Sequence, residues 1–80
     1  MSKLLTLISK PGCHLCDEAR SVITEVLVSF PEVTFEEKNM LEDQGLVNLY
    51  SEEIPVVLID GRQHSFWRVD EQRLRKALSV

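Results

Sequence analysis

The amino-acid sequence predicts one small α/β domain over residues 1–80, with a four-stranded mixed sheet covered by helices on both faces. Three observations carry that expectation. Two short aliphatic runs, residues 4–8 and 54–59, have the composition of strands buried on both faces. A long stretch with helical spacing follows the first run and is followed in turn by an alternating segment. An Asp60-Gly61 pair separates the second run from a short return segment, as the turn of a hairpin does. The expected order is strand, helix, strand, helix, strand, strand, helix.

Each element has a local reason. Leu4-Leu5-Thr6-Leu7-Ile8 is ended by Ser9 and Pro11-Gly12 and reads as a central strand. From residue 15 the apolar side chains fall at Leu15, Ala19, Val22, Ile23, Val26, Leu27 and Phe30, one face of a helix that Pro31 stops. Asp17, Glu18, Arg20 and Glu25 take the other side and read as a solvated face. Val33-Thr34-Phe35-Glu36-Glu37 alternates like a half-buried strand nearer the sheet edge.

Asn39 then predicts an N-cap, with Glu42 completing a capping box and Leu41, Leu46 and Leu49 forming an apolar stripe. Gly45 inside that helix costs it about 1 kcal/mol against alanine. After the hairpin, the return strand is expected over residues 63–67, with Phe66 and Trp67 on opposite faces. Asp70 caps the closing helix, Val69 and Leu74 are placed to form a hydrophobic staple, and Leu74, Ala77 and Leu78 supply its buried face. A right-handed crossover makes the first two strands parallel, and the tight turn makes the last two antiparallel.

Composition narrows the function. With 44% hydrophobic and 28% charged residues in mixed order, the chain has the make-up of an ordinary globular protein. Thirteen acids against nine bases give a net charge of −4, and no basic cluster exceeds Arg73-Leu74-Arg75-Lys76. Nucleic acid and anionic membrane are therefore not expected partners. No segment approaches the ~20 apolar residues of a membrane helix. The apolar run after Met1-Ser2-Lys3 is too short for a signal peptide, so a cytoplasmic monomer is expected.

Both cysteines lie in Lys10-Pro11-Gly12-Cys13-His14-Leu15-Cys16, between the first strand and the first helix. A cysteine at a helix start sits beside unpaired N–H groups and the positive end of the helix dipole, where a thiolate is favoured. The second sulfur lies one turn further in, within bonding reach of the first. In a reducing compartment such a lone pair signals catalysis or metal binding rather than a permanent disulfide. Free cysteine, with a pKa of ~8.5, is mostly protonated at neutral pH. The helix terminus, Lys10 on the loop and a protonated His14 would each favour the Cys13 thiolate.

The strand, the Cys-x-x-Cys helix start and the Ile54-Pro55 strand start together resemble the thioredoxin fold in its minimal, glutaredoxin form, a three-layer sandwich. The resemblance spans nearly the whole chain. Cys13-His14-Leu15-Cys16-Asp17-Glu18-Ala19 is most similar to small glutaredoxin-like proteins, and Lys10-Pro11 also resembles glutaredoxins. The resemblance implies a thiol-disulfide oxidoreductase with Cys13 as nucleophile and Cys16 as resolving thiol. It implies that Pro55 is cis and that the backbone of Ile54 pairs with an extended peptide or glutathione. Lys10, His14, Ile54 and Pro55 are then substrate-binding candidates. A histidine beside the reactive cysteine is expected to make the disulfide more oxidising, as in the oxidising relatives of this fold.

The chain also departs from that pattern. The glycine pair that holds the glutamyl end of glutathione is replaced by Phe66-Trp67-Arg68-Val69-Asp70, and the Pro-Tyr pair between the cysteines by His14-Leu15. The expected partner is a protein disulfide or a glutathione mixed disulfide, with glutathione as a possible reductant and no bound cofactor. Arg62 and Arg68 can pair with substrate carboxylates, although solvated charge is the plainer reading. Two other classes remain: a redox-inactive thioredoxin-fold binding module, and a metal site. Zinc commonly takes four ligands, and beyond the cysteines only His14 and His64 offer nitrogen, so no metal is expected.

Overall fold

The computed structural model describes residues 3–50, 53–66 and 68–79, and the side chains of residues 65 and 66 lie outside that description. The strands are β1 (Leu4–Ser9), β2 (Thr34–Asn39), β3 (Val56–Ile59) and β4 (Arg62–Phe66), and the helices are α1 (His14–Leu27), α2 (Gln44–Tyr50) and α3 (Glu71–Leu78). The sheet runs β2-β1-β3-β4. β1 pairs parallel with β2, while β1 with β3 and β3 with β4 are antiparallel. The two aliphatic strands thus occupy the centre and the alternating one an edge, as the sequence implies. Among the described residues no helix is long and apolar enough to cross a membrane.

Two clusters of buried side chains show the layers. Leu5, Leu7 and Val57 face Ala19, Ile23 and Val26 of α1 and Leu74 and Leu78 of α3. Ile8 and Val56 turn to the opposite face, where Met40, Leu46, Val47 and Tyr50 cover them. The period-two alternation of side chains along β1 and β3 therefore feeds both cores.

Several boundaries differ from those expected. The first helix ends at Leu27 rather than at Pro31, because its last turns tighten: the N–H groups of Val28, Ser29 and Phe30 reach back three residues to Glu25, Val26 and Leu27 at 3.3, 3.0 and 3.0 Å. Phe30 still packs on the core. The capping box at Asn39 does not form. Asn39 Oδ1 accepts from the Leu41 N–H at 2.9 Å and starts a 3₁₀ turn, Met40–Glu42.

Asp43 begins α2 instead, its carboxylate accepting from the Gly45 N–H at 2.8 Å. Gly45 is therefore in the first turn and not the helix interior. This shift rotates the stripe: Met40, Leu46, Val47 and Tyr50 pack inward, and Leu41 and Leu49 face solvent.

The hairpin matches its turn signal. Asp60 and Gly61 have φ of 52° and 84°, both left-handed, as a two-residue turn between right-twisted strands requires. Asp60 also locks the hairpin to β1, since its Oδ1 accepts from the Leu4 N–H at 2.9 Å and its own N–H donates to the Leu4 carbonyl at 2.8 Å. Val57 pairs with Ser65 and Leu58 with Gln63, which leaves His64 as the extra residue of a bulge. The placement of Phe66 and Trp67 on opposite faces concerns side chains outside the described residues. Asp70 caps α3 through the Arg73 N–H at 3.1 Å, and Val69 packs in the same core as Leu74.

Candidate active site

β1 delivers the chain to the tip of the sheet, where Lys10, Pro11 and Gly12 turn it into α1. Gly12 takes φ of 76°, a left-handed conformation that glycine adopts without a Cβ penalty. Cys13 then serves as the helix N-cap in an extended conformation, and its Sγ accepts from the Cys16 N–H at 3.2 Å. The bond satisfies one of the N–H groups left open at the helix start.

The two sulfurs have unequal surroundings. Cys13 is half-buried, whereas Cys16 is fully buried. Burial is the main cause that pushes the Cys16 thiol up to about 11, followed by its hydrogen bond to Cys13; a backbone hydrogen bond from Lys10 and the charge of Arg20 act the other way. At neutral pH Cys16 therefore holds its proton.

The peptide bond Ile54-Pro55 is cis. Ile54 packs in the same cluster as Cys13 and Cys16, with Ile8, Met40 and Val56, and Pro55 is fully buried. The fold thus brings the Cys13-to-Cys16 segment and Ile54-Pro55 together from two separate stretches of chain. The Lys10 backbone hydrogen-bonds Cys16, and the side chains of Lys10 and His14 lie on the surface. The His14 ring is 88% exposed, with Nε2 3.8 Å from Glu18 Oε1 one turn along the helix.

Asp17 is exposed as expected, but the reading of Arg20 as solvated face is corrected by the tertiary structure. Arg20 donates to both Glu37 oxygens at 2.7 and 2.6 Å and to Asp17 at 2.9 Å, and Ser9 donates to Glu37 at 2.7 Å. These residues line a cavity of about 200 Å³ behind the Lys10-Pro11-Gly12 loop. They brace the loop and the helix start against the edge strand. The only sequence signal for them was the polar position Glu37 on a strand, whose partner lies 17 residues away.

His64 lies on β4 and lines a different cavity, with Asp60 and Arg62 at the hairpin. Burial and the charge of Arg73 hold its ring below its ordinary value, and its Nδ1 has no hydrogen-bond partner among the described residues. The described residues contain no grouping of three or more His, Cys, Asp or Glu suited to a metal ion.

A β2-β1-β3-β4 sheet between α1 and α3 on one side and α2 on the other, with a Cys-x-x-Cys helix start packed beside a cis proline, defines the thioredoxin fold. Residues 4–79 match the family described as Glutaredoxin-like domain (DUF836), and the chain belongs to that family.

It is 32% identical over 73 residues to uncharacterized proteins of Mycobacterium tuberculosis and Mycobacterium bovis, covering 86% of this chain and 75% of theirs. A structural genomics target from X. campestris is 32% identical, with a TM-score of 0.69 and coverage of 94% of this chain and 95% of that one. Protein Ne2328 from Nitrosomonas europaea superposes with a TM-score of 0.83 at 20% identity, covering 98% and 93%. Fasciola hepatica thioredoxin superposes at 0.72 with 18% identity, covering 98% and 79%, and shares the fold. Fold and family together support a redox-type function.

Proposed function

We propose that the protein is a glutaredoxin-like thiol-disulfide oxidoreductase in which Cys13 attacks and Cys16 resolves. The observation that carries this reading is the inequality of the two thiols. Cys13 is reachable and receives a backbone N–H, while Cys16 is buried, protonated and one helical turn away.

The Cys13 thiolate attacks one sulfur of a substrate disulfide. A bond forms between Sγ and that sulfur, the substrate S–S bond breaks, and the departing thiolate keeps the electron pair and takes up a proton. Cys16 then gives up its proton and attacks Cys13 Sγ, releasing the second substrate thiolate, which is protonated in turn. Two electrons and two protons leave the protein dithiol, and the protein holds a Cys13–Cys16 disulfide. A thiol reductant such as glutathione returns it to the dithiol in a reducing cytoplasm. Ile54 offers its backbone to the substrate beside the disulfide.

Mass analysis of variants exposed to a disulfide tests the assignment. Cys16→Ser is expected to accumulate a mixed disulfide on Cys13, Cys13→Ser to remain free at neutral pH, and the unaltered protein to end lighter by two hydrogens. A mixed disulfide that forms on Cys16 in Cys13→Ser as fast as on Cys13 would overturn the assigned roles.

A further inference from the structure

Resting on the redox reading above, we propose that the groove between α1 and the loop ahead of α3 is a docking subsite for a protein substrate. Its occupant is a disulfide-bearing segment with an apolar side chain near the cysteine and a carboxylate next to it.

The groove has a volume of about 430 Å³. Leu15, which stands between the two cysteines in the sequence, lines one end of it, so the groove runs along the helix that carries the dithiol. Ala19, Val22 and Val69 extend the apolar wall away from the dithiol. An apolar side chain laid along that wall leaves water on both sides, which is the favourable contact such a surface offers.

The rim supplies the sign. Arg68 lines the groove, is exposed, and makes no ion pair or hydrogen bond with any described residue. Among the described residues Arg68 is the one cation lining this groove, whereas Arg20 is paired with Glu37 and Asp17 elsewhere on α1. On a chain of net charge −4, a cation without a partner among the described residues, lining an apolar groove, selects a carboxylate. Glu18 on the opposite wall repels one, which sets the direction of the segment, with its acid at the Arg68 end. Glutathione brings carboxylates but no side chain to cover Ala19 and Val22, so the subsite favours peptide disulfides over it.

The test measures second-order rate constants for oxidation of the reduced protein by symmetric peptide disulfides carrying Leu-Glu, Gly-Glu or Leu-Lys after the cysteine. Each is normalised to bis(2-hydroxyethyl) disulfide, which lacks both features. Leu-Glu is expected to react about tenfold faster than Gly-Glu and about threefold faster than Leu-Lys at low salt. In Arg68→Glu the order of Leu-Glu and Leu-Lys is expected to invert. Equal rates for the three peptides, or an order unmoved in Arg68→Glu, would overturn the subsite while leaving the redox reading in place. Failure to oxidise the protein with any disulfide would overturn both.

Discussion

Arg20 on α1 grips Glu37 on β2 through two parallel hydrogen bonds, Nε to Oε1 at 2.7 Å and Nη2 to Oε2 at 2.6 Å. Planar two-pronged pairs of this kind are among the stronger charge-assisted contacts. Because Ser9 donates to the same carboxylate, the pair joins the end of β1, the edge strand and the dithiol helix.

Glu37→Gln is expected to lower stability by about 1 kcal/mol at pH 7. Arg20 holds the Glu37 carboxyl below its ordinary 4.5. A depressed folded value means that the stabilisation is complete above the ordinary carboxylate range and fades as pH falls through the folded value. Urea unfolding should therefore show a gap between the two proteins at pH 7 that narrows below about pH 4.5. A gap independent of pH would show that the charge of Glu37 is not its source.

The Cys16 thiol gives a second pH signature. At about 11 its folded value lies above the ordinary 9.0, so its stabilising contribution is intact below pH 9.0 and is lost as pH rises toward 11. In the reduced protein at pH 8, iodoacetamide is expected to label Cys13 and to leave Cys16 unlabelled until the chain unfolds. Peptide mapping by mass spectrometry reads both sites; equal labelling in the folded protein would contradict the asymmetry.

The rotated stripe of α2 separates two leucines of the same segment. Leu46 packs against the cluster of Ile8, Cys16 and Val56, whereas Leu49 is 66% exposed. Leu49→Ser is expected to change stability by less than about 0.5 kcal/mol, and Leu46→Ala to cost about 2 kcal/mol. Denaturation midpoints of the two variants decide the matter, and a reversed order would mean that the stripe faces the other way.

Gly61 is a backbone requirement. A Cβ at this position would meet nothing within 4 Å, and φ is 84°. Gly61→Ala should therefore cost about 1 kcal/mol through conformation alone. Gly61→Asn, whose side chain tolerates the left-handed region, should recover most of it in the same unfolding measurement.

Most of the architecture is legible locally. The aliphatic runs around Leu5 and Val57, the helical spacing from Leu15 to Val26, the Asp60-Gly61 turn and the Asp70 cap each depend on neighbours within a turn or a pleat. Those neighbours are written side by side in the chain. The second helix is less legible, because Asn39 and Asp43 are competing caps four residues apart. The choice between them sets which of Leu41, Leu46 and Leu49 turns inward, and packing of Met40, Leu46, Val47 and Tyr50 on Ile8 and Val56 decided it.

By itself the sequence determined the strand and helix order, the sheet's central and edge strands, and a dithiol at a helix start, since period and capping are properties of contiguous residues. Only the tertiary structure decided that Arg20 serves Glu37 rather than solvent, that Cys16 is sealed while Cys13 is not, and that Leu15 and Arg68 line one groove. Those relationships join residues far apart in the chain. They follow from strand register and from which faces the helices cover, and these emerge when the layers pack.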